Sequence, residues 1–373
     1  MSADIPDDAP APRSFASVFD VYEVRREDEE VLYFGDPRAG QERLVRTVWP
    51  LFRERGYEVS LDRRMGELVL VAEPLDLGVD GVPWTNVLLF GLTVLSTLFA
   101  GAGWYYVQDL TSPAIVQALP FTLAVLGVLG VHEMGHYVAS RYYGVRASLP
   151  YFIPVPTLIG TMGAIIKMRG QMPDRKALFD IGVAGPLAGL AATLVVTVVG
   201  LKLPPVTVPE WVLNAPPEQT MEIVFHYPIL LKGIAWLLGE PLRYPNDPSL
   251  VVNPVVIGAW VGMFVTFLNL IPVGQLDGGH MLRAMVGETH ERFAPVVPGL
   301  LFALAGYVYY VLDAGNAATL WVVWGLIAVF LVNAGSVRPV DDSPLDRKRV
   351  AVGVFTFLLG VLAFVPVPIE IIV

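Results

Sequence analysis

The chain has 373 residues, of which 54% are hydrophobic and 16% are charged, and it contains no cysteine. Soluble domains are roughly 45–50% apolar and about 25% charged, so this composition excludes an ordinary soluble protein and indicates an integral membrane protein. The lack of cysteine excludes disulfides, thiolate metal sites and a cysteine nucleophile, and the net charge of −10 with no basic stripe argues against nucleic acid as a partner.

The N-terminal region predicts a tail followed by a soluble domain. Residues 1–14 are rich in Asp, Pro and Ala and are predicted to be disordered. Residues 15–80 are predicted to form a small α+β domain, with Leu44, Val48 and Phe52 on one helical face and a β-hairpin in "YEVSLDRRMGELVLVAEP". The chain has 5 lysines against 20 arginines, and its acidic, lysine-poor composition predicts a halophilic microbial source.

The remaining residues, 81–373, predict a membrane domain, because their apolar runs are near the roughly 20 residues that a helix needs to cross a bilayer. The predicted spans are 85–106, 115–138, 177–201, 251–272, 293–313, 317–333 and 350–372. Connections on one side hold twelve Lys and Arg and those on the other side hold three. This asymmetry places the N-terminal domain in the cytoplasm. The predicted fold is an all-α polytopic protein of about seven transmembrane helices, embedded in the lipid bilayer of the cell membrane and preceded by the cytosolic α+β domain.

Two apolar segments do not fit this pattern of spans. The segment "YFIPVPTLIGTMGAIIKM" (151–168) is interrupted by prolines and glycines, and irregular backbone at membrane depth must be covered by protein or line a cavity. It is therefore predicted to be a re-entrant hairpin. The segment "YPILLKGIAWLLG" (227–239) is too short to span and is predicted to lie in the outer interface.

Three polar groups lie at the end of the second predicted span, in "VHEMGHYVASRYYG" (131–144). Residues four apart lie on one face of a helix, so His132 and His136 can offer two imidazoles to one metal ion, with Glu133 beside them. HExxH on a helix is the pattern of zinc hydrolases, in which the carboxylate deprotonates a metal-bound water. An ionisable group inside a membrane costs about 3 kcal/mol, so three together indicate a functional site rather than simple packing.

A catalytic zinc site uses three protein ligands and one open position. Without cysteine, the third ligand must be His, Asp or Glu. The stretch "NLIPVGQLDGGH" (269–280) lies at the inner end of the 251–272 span, on the same side as the two histidines. We predict Asp277 as the third ligand, because the neighbouring proline and glycines let the backbone bend. His280 is the competing candidate, although we expect it to face the cytoplasmic interface; His290 is expected in a surface connection.

The order of these motifs carries a family resemblance. HExxH in one span is followed by G-P-L-A-G in the next and by N-x-x-P-x-x-x-L-D-G in a later one. This arrangement resembles the site-2 protease family of intramembrane metalloproteases, most closely its plant-plastid and cyanobacterial branch. The segments "MPDRKALFDIGVAGPLAGL" (172–190) and "GAWVGMFVTFLNLIPVGQLDGGH" (258–280) carry the closest similarity, and the likeness covers roughly residues 85–290.

The resemblance implies an intramembrane zinc endopeptidase that hydrolyses peptide bonds of transmembrane protein substrates. It implies that His132, His136 and Asp277 bind Zn²⁺ and that Glu133 is the general base. It also implies that Asn269 hydrogen-bonds the substrate carbonyl or its oxyanion. The active site would lie near the cytoplasmic side of the membrane.

The resemblance further implies how the substrate binds. "GTMGA" (160–164) matches the hairpin of the family, which is expected to pair with an unwound substrate as an added strand. The expected substrate-binding residues are Gly160, Thr161, Met162 and Gly163. Gly185, Pro186 and Gly189 are expected to permit close helix packing.

Three other functions are compatible with parts of the sequence. An inactive relative could act as a membrane chaperone or scaffold, although such proteins usually lose a ligand or the base. A transporter could use the intramembrane His, Glu and Asp side chains as an ion path, although no inverted repeat is visible. A CAAX-type metalloprotease also contains HExxH, but its further ligand is a downstream glutamate.

Overall fold

The computed structural model describes residues 9–64, 66–78, 81–216 and 222–372. The N-terminal domain contains β1 (Phe19–Glu27), β2 (Glu30–Pro37), α1 (Gln41–Arg53), β3 (Tyr57–Arg64) and β4 (Glu67–Pro74). The strands form an antiparallel sheet in the order β1-β2-β4-β3, and the predicted hairpin is its β3–β4 pair. Leu44, Val48 and Phe52 of α1 are buried in the core of this domain, as their spacing predicts.

The segment predicted to be a disordered tail is in part packed on this domain. Ala9 and Pro10 are buried, and Pro12–Ser14 form a short 3-10 helix. The hydroxyl of Tyr33 donates a hydrogen bond to the carbonyl of Pro10 at 2.9 Å, so residues 9–14 contribute to the domain. The rest of the predicted tail lies outside the described residues.

The membrane domain is mostly helical. Its helices are α2 (Trp84–Trp104), α3 (Leu119–Tyr142), α4 (Arg175–Lys202), α5 (Glu210–Leu213), α6 (Ile229–Leu238), α7 (Val255–Asn269), α8 (Asp277–Val286), α9 (His290–Phe293), α10 (Val296–Tyr310), α11 (Gly315–Ala334) and α12 (Arg347–Leu362). Within the described residues, four helical segments are long and apolar enough to cross a membrane, namely α2, α3 with the 3-10 turn before it, α4 and α11. A fifth span results if α8–α9 and α10, which are bent by 71°, are counted as one. The predicted count of seven spans is not confirmed.

The C-terminal end of the last predicted span, 350–372, is wrong. Helix α12 ends at Leu362, and the prolines at 366 and 368 cannot continue a helix. The chain then forms β14 (Ile369–Ile372), which pairs antiparallel with β11 (Glu222–Phe225). An apolar run of this length is compatible with helix or strand, and hydropathy alone does not distinguish them.

Short strand pairs also correct the prediction of an all-α membrane domain. The remaining strands are β5 (Arg146–Ala147), β6 (Tyr151–Pro154), β7 (Thr161–Ile165), β8 (Met168–Arg169), β9 (Met172–Asp174), β10 (Val206–Thr207), β12 (Leu250–Val251) and β13 (Pro339–Asp341). The pairs are β5–β8, β6–β7, β10–β12 and the parallel pair β9–β13. The pair β9–β13 joins connections about 165 positions apart, as β11–β14 joins segments about 145 apart, and both pairs fix loops at the ends of the helices.

The hairpin β6–β7 extends along α2. Near the start of α2, the side-chain amide of Asn86 donates to the carbonyls of Leu149 and Pro150 at 2.9 and 3.0 Å. Near its end, the indole N–H of Trp104 donates to the carbonyl of Leu158 at 2.8 Å. With a rise of about 1.5 Å per residue, these anchors lie about 27 Å apart along the helix axis. The segment predicted to be re-entrant is therefore a β-hairpin that extends along most of this helix.

Candidate metal centre

Helix α3 carries the HExxH motif on its buried side. The exposed fractions of His132, Glu133 and His136 are 2%, 5% and 6%. Because the two histidines are one turn apart, their imidazoles lie on one face of α3 and meet at a single point, with the two Nε2 atoms 3.2 Å apart.

Asp277 enters this point from another part of the chain. It is the first residue of α8, which follows the break after α7. Its Oδ2 atom lies 3.2 Å from Nε2 of His132 and 3.1 Å from Nε2 of His136. Among the described residues, these three form the group of His, Asp and Glu side chains that could hold a metal ion.

The donor geometry fits a small divalent cation. Ligands bound at about 2.0–2.2 Å to a tetrahedral zinc ion are roughly 3.3–3.5 Å apart. The three donor atoms here are separated by 3.1–3.2 Å, so they form one triangular face of such a tetrahedron and leave one vertex open. Two imidazoles and one carboxylate are a donor set that suits zinc.

The orientation of His136 is fixed by a backbone group. Its Nδ1 atom lies 2.7 Å from the carbonyl oxygen of Ile181 in α4. A carbonyl can only accept, so Nδ1 must carry the proton and Nε2 is free to bind a metal. This is the common arrangement in which a second hydrogen bond selects the tautomer of a metal-binding histidine. The HExxH motif predicts the ligand but gives no indication of this partner.

Two glycines of α4 make room for the two imidazoles. A Cβ on Gly185 would lie 2.0 Å from Nε2 of His136, and a Cβ on Gly189 would lie 2.8 Å from Nδ1 of His132. The glycines are four residues apart, as are the histidines, so each glycine faces one histidine where α3 and α4 pack. The close packing predicted for this segment is therefore packing against the ligands. The matching spacing of the two pairs is a signal in the sequence that could have predicted this contact.

The two further residues expected at the site also lie close to it. Glu133 is buried on the same turn as His132, and the backbone of Ile166, one residue beyond β7, lies near its carboxylate. The side-chain nitrogen of Asn269, at the end of α7, lies 3.2 Å from Nε2 of His132. A carboxylate and an amide therefore lie close to the two histidine ligands.

The expected positions of two other histidines are wrong. His280 was expected to face the cytoplasmic interface, but it is 4% exposed, and its Cβ lies 3.2 Å from the position of a Cβ on Gly182. His290 was expected in a surface connection, but it is buried, with Nε2 3.3 Å from the carbonyl of Pro272. Helix α8 packs on α4, so the residue one turn after Asp277 faces protein rather than solvent.

The four residues expected to bind substrate lie at the turn and in the second strand of the hairpin. Gly160 has φ +83°, and a Cβ there would lie 2.5 Å from the carbonyl oxygen of Ser96 in α2. Thr161 is buried, and its hydroxyl lies 3.0 Å from the backbone nitrogen of Gly163. Met162 is 73% exposed. The hairpin thus has its turn against α2, an exposed apolar side chain on β7, and its far end beside Glu133.

Comparison with known proteins shows extended similarity. The profile of Peptidase family M50 matches residues 120–312. "Probable zinc metalloprotease EGY2, chloroplastic" of Arabidopsis thaliana is 32% identical over 310 residues, which cover 81% of this chain and 52% of that protein. The EGY2 protein of Oryza sativa subsp. indica is 32% identical over 349 residues, covering 90% and 60% of the two chains. This chain therefore spans little more than half the length of these relatives.

One solved structure is also similar. "Site-2 Protease from Methanocaldococcus jannaschii" matches with 17% sequence identity and a TM-score of 0.30, covering 69% of this chain and 93% of that chain. A TM-score this low supports no argument about the details of the fold.

Proposed function

This chain belongs to Peptidase family M50, and from that premise we propose that it is an intramembrane zinc endopeptidase. The site-2 protease resemblance seen in the sequence is thereby confirmed. The observation that carries the proposal is the meeting of Nε2 of His132, Nε2 of His136 and Oδ2 of Asp277 within 3.2 Å of one another. Glu133 lies beside this meeting point and is buried.

Zinc is the cofactor that fits this donor set, and His132, His136 and Asp277 would hold it. When bound, zinc supplies Lewis acidity and brings the pKa of a coordinated water close to neutrality. The relatives are named as zinc metalloproteases, which agrees with this assignment.

Residues of the chain carry out proton transfer, stabilisation of charge and orientation of a ligand. Glu133 takes a proton from the attacking water and returns it to the leaving amine, as a general base and then a general acid. Asn269 directs its amide at the reacting carbonyl and stabilises the negative charge that develops on its oxygen. Ile181 holds the ring of His136 in the orientation that these steps require.

The proposed substrates are transmembrane proteins. Their helices must be unwound locally, since the backbone carbonyls of a helix are otherwise engaged in hydrogen bonds. We assign the binding of the unwound segment to Gly160 and the start of β7 up to Gly163, because an edge strand can pair with an added strand. The end of β7 beside Glu133 supports this assignment, since a strand paired there would pass close to the candidate base.

The proposed topology follows from the distribution of charge. The connections with most Lys and Arg are those on the side of the N-terminal domain, which favours a cytoplasmic position for that domain. The site then lies toward the cytoplasmic side of the cell membrane, because the HExxH motif precedes the cytoplasmic end of α3 by about two turns.

The test of the function is the variant Glu133→Gln. The full chain is reconstituted in liposomes with a panel of single-span membrane proteins, and cleavage and bound zinc are both measured. We expect cleavage to fall by about 10²–10⁴-fold, the usual contribution of a general base, while zinc stays at one per chain because no ligand is removed. The matched control is Glu240→Gln, which changes a glutamate paired with Lys202, away from the HExxH motif. It should cleave as the wild type does.

Two results would contradict the proposal. Full cleavage by Glu133→Gln would remove that residue from the reaction. Wild-type protein that binds zinc but leaves the whole panel uncut would favour an inactive membrane scaffold instead. Comparing membrane proteins in cells with wild-type and Glu133→Gln chains would identify the natural substrates as those that accumulate uncut.

A further inference from the structure

A carboxylate outside the metal centre joins α8, which carries the ligand Asp277, to α4, whose backbone orients the ligand His136. Asp342 follows β13 in the connection between α11 and α12. Its Oδ1 and Oδ2 atoms accept hydrogen bonds from Nε and Nη2 of Arg175 at 2.7 and 2.9 Å. Oδ1 also accepts from Nη1 of Arg283 at 3.0 Å. One side chain therefore links the first residue of α4 to the last turn of α8.

One of the two linked helices carries a metal ligand, and the other carries the carbonyl that orients a second ligand. Asp277 is the first residue of α8, six positions before Arg283. Ile181, whose carbonyl holds His136, lies six positions after Arg175 on α4. The helices touch between these points, since a Cβ on Gly182 would lie 3.4 Å from the carbonyl oxygen of Asp277. Any change in how α4 and α8 pack would alter the distance between His136 and Asp277.

The three salt-bridged side chains, Arg175, Arg283 and Asp342, are largely buried. Because they are shielded from water, breaking one of their contacts is costly. The side chain of Arg283 is 3% exposed, and those of Arg175 and Asp342 are 12% and 22% exposed. A buried guanidinium that loses its carboxylate becomes an uncompensated charge. The two hydrogen bonds from Arg175 fix the orientation of the Asp342 carboxylate as well as its distance from the guanidinium. The link can therefore hold the two helices in one arrangement.

The position of Asp342 depends in turn on the N-terminal domain. Strand β13 ends at Asp341, one residue before Asp342, and pairs in parallel with β9 at the entry to α4. Val340 of β13 is buried in the core of the N-terminal domain, and Nε of Arg46 donates to its carbonyl at 3.2 Å. The connection that carries Asp342 is thus held between the soluble domain and the membrane domain.

We propose that Asp342 is a positioning residue through which the docked N-terminal domain sets the packing of α4 against α8, and so the separation of His136 and Asp277. The inference rests on the metal site assigned under the proposed function. The soluble domain then helps to position the metal ligands, although it supplies none of the three assigned ligands. Metal affinity should also respond to changes in a connection that touches no ligand.

The test measures metal affinity rather than cleavage. The full chain in detergent is titrated with Co²⁺, using the d–d absorption of the bound ion, and with Zn²⁺ against a chromophoric chelator. Asp342→Asn is expected to weaken binding by about tenfold, near the low end of the range for outer partners of metal ligands. The conservative variant Asp342→Glu keeps the charge and should recover part of the loss. Asp341→Asn makes the same change one residue earlier, at an exposed side chain, and should stay within about twofold of the wild type.

Further variants keep the test decisive if Asp342→Asn does not fold. Arg175→Lys keeps the charge but loses the bidentate fork, and its control is the exposed Arg169→Lys. Val340→Ala weakens docking of the soluble domain without touching Asp342. Both Arg175→Lys and Val340→Ala should weaken Co²⁺ binding and alter the d–d spectrum, while cooperative unfolding of the metal-free protein is retained.

The outcomes separate this inference from the proposed function. Wild-type affinity in Asp342→Asn, or an equal loss in Asp341→Asn, would overturn the positioning role. A chain that binds metal and shows these differences but cuts no substrate would overturn the protease assignment alone. A wild-type chain that binds neither metal would remove the basis of both.

Discussion

Nδ1 of His136 lies 2.7 Å from the carbonyl oxygen of Ile181, so the imidazole of a HExxH histidine is held by the backbone of the next long helix. This bond leaves Nε2 directed at Asp277, 3.1 Å away. The ligand set of α3 is therefore oriented by α4, and the ligand of α8 meets it across the contact of α8 with α4. The metal centre depends on the packing of three helices and is not a property of the motif alone.

Removing the third ligand should abolish metal binding. Asp277→Ala leaves two imidazoles and two open positions, so we expect zinc affinity to fall by more than about 100-fold, the upper range for loss of an outer partner. Metal content after dialysis and Co²⁺ titration measure this change. Asp247→Asn, in an exposed connection, is the control and should bind as the wild type does. Retention of zinc in Asp277→Ala would instead favour a downstream glutamate as ligand.

The glycine facing His136 should be required for metal binding. In Gly185→Ala the new Cβ would lie 2.0 Å from Nε2 of His136, so the ring or the helix must move and the three donors no longer converge. We expect at least about a tenfold loss of zinc affinity. Gly127→Ala in α3 is the matched control, because a Cβ there meets nothing within 4 Å. Equal affinities in the two variants would show that the contact with His136 is not needed.

The amide of Asn269 should act on turnover and not on metal binding. If it stabilises charge on the reacting carbonyl, Asn269→Ala lowers kcat by about 10²–10³-fold with a smaller change in KM. Steady-state cleavage and zinc content are measured together. The control is Asn333→Ala, since Asn333 is exposed and its amide donates to the carbonyl of Val329 in its own helix. Loss of zinc in Asn269→Ala would show that the residue supports a ligand instead.

The local parts of this molecule are predictable from its sequence, and the parts set by packing are not. His132 and His136 share a face because helical periodicity requires it, and the β3–β4 hairpin follows from alternation around a glycine. Asp277 is predictable because the backbone bends after Pro272. The burial of His280 is not, since the residue one turn after Asp277 could face solvent or α4, and the close approach at Gly182 decides between them.

Hydropathy predicts where the apolar segments lie but not how long the helices within them are. Helix α7 has 15 residues and α12 has 16, each shorter than the roughly 20 that a span requires. The prolines at 366 and 368 convert the end of the last apolar run to a strand that pairs with β11. Pairing between segments about 145 positions apart is a tertiary feature, and no local pattern specifies it.

The contact of the hairpin with α2 should affect substrate binding and leave metal binding unchanged. Gly160→Ala introduces a Cβ at φ +83°, 2.5 Å from the carbonyl oxygen of Ser96, so the turn must move away from α2. We expect cleavage of membrane substrates to fall by about tenfold or more, mainly through KM, because uniform binding is lost. Gly103→Ala in α2 has open space for its Cβ and is the control. Lower zinc content in Gly160→Ala would indicate that the hairpin supports the metal centre itself.

The link through Asp342 should make stability depend on pH in the acid range. Hydrogen bonds from Arg175 and then Arg283 lower the pKa of Asp342 below its ordinary value of 3.8, although burial opposes the shift. A lowered folded pKa means that the ionised group stabilises the fold above the unfolded value, and that this contribution is lost as the pH falls through the folded value. Asp342→Asn should therefore be less stable than the wild type by about 2 kcal/mol at pH 7, the scale of hydrogen bonds to charged groups.

Thermal unfolding of the two proteins in detergent between pH 7 and pH 2.5 measures this difference. It should be constant down to about pH 5 and shrink below that, since the protonated acid and the amide then have the same charge. Asp20→Asn removes an exposed pair with Arg38 and should change stability by less than about 1 kcal/mol at every pH. A difference between Asp342→Asn and wild type that grows on acidification would contradict the proposed role of the ionised carboxylate.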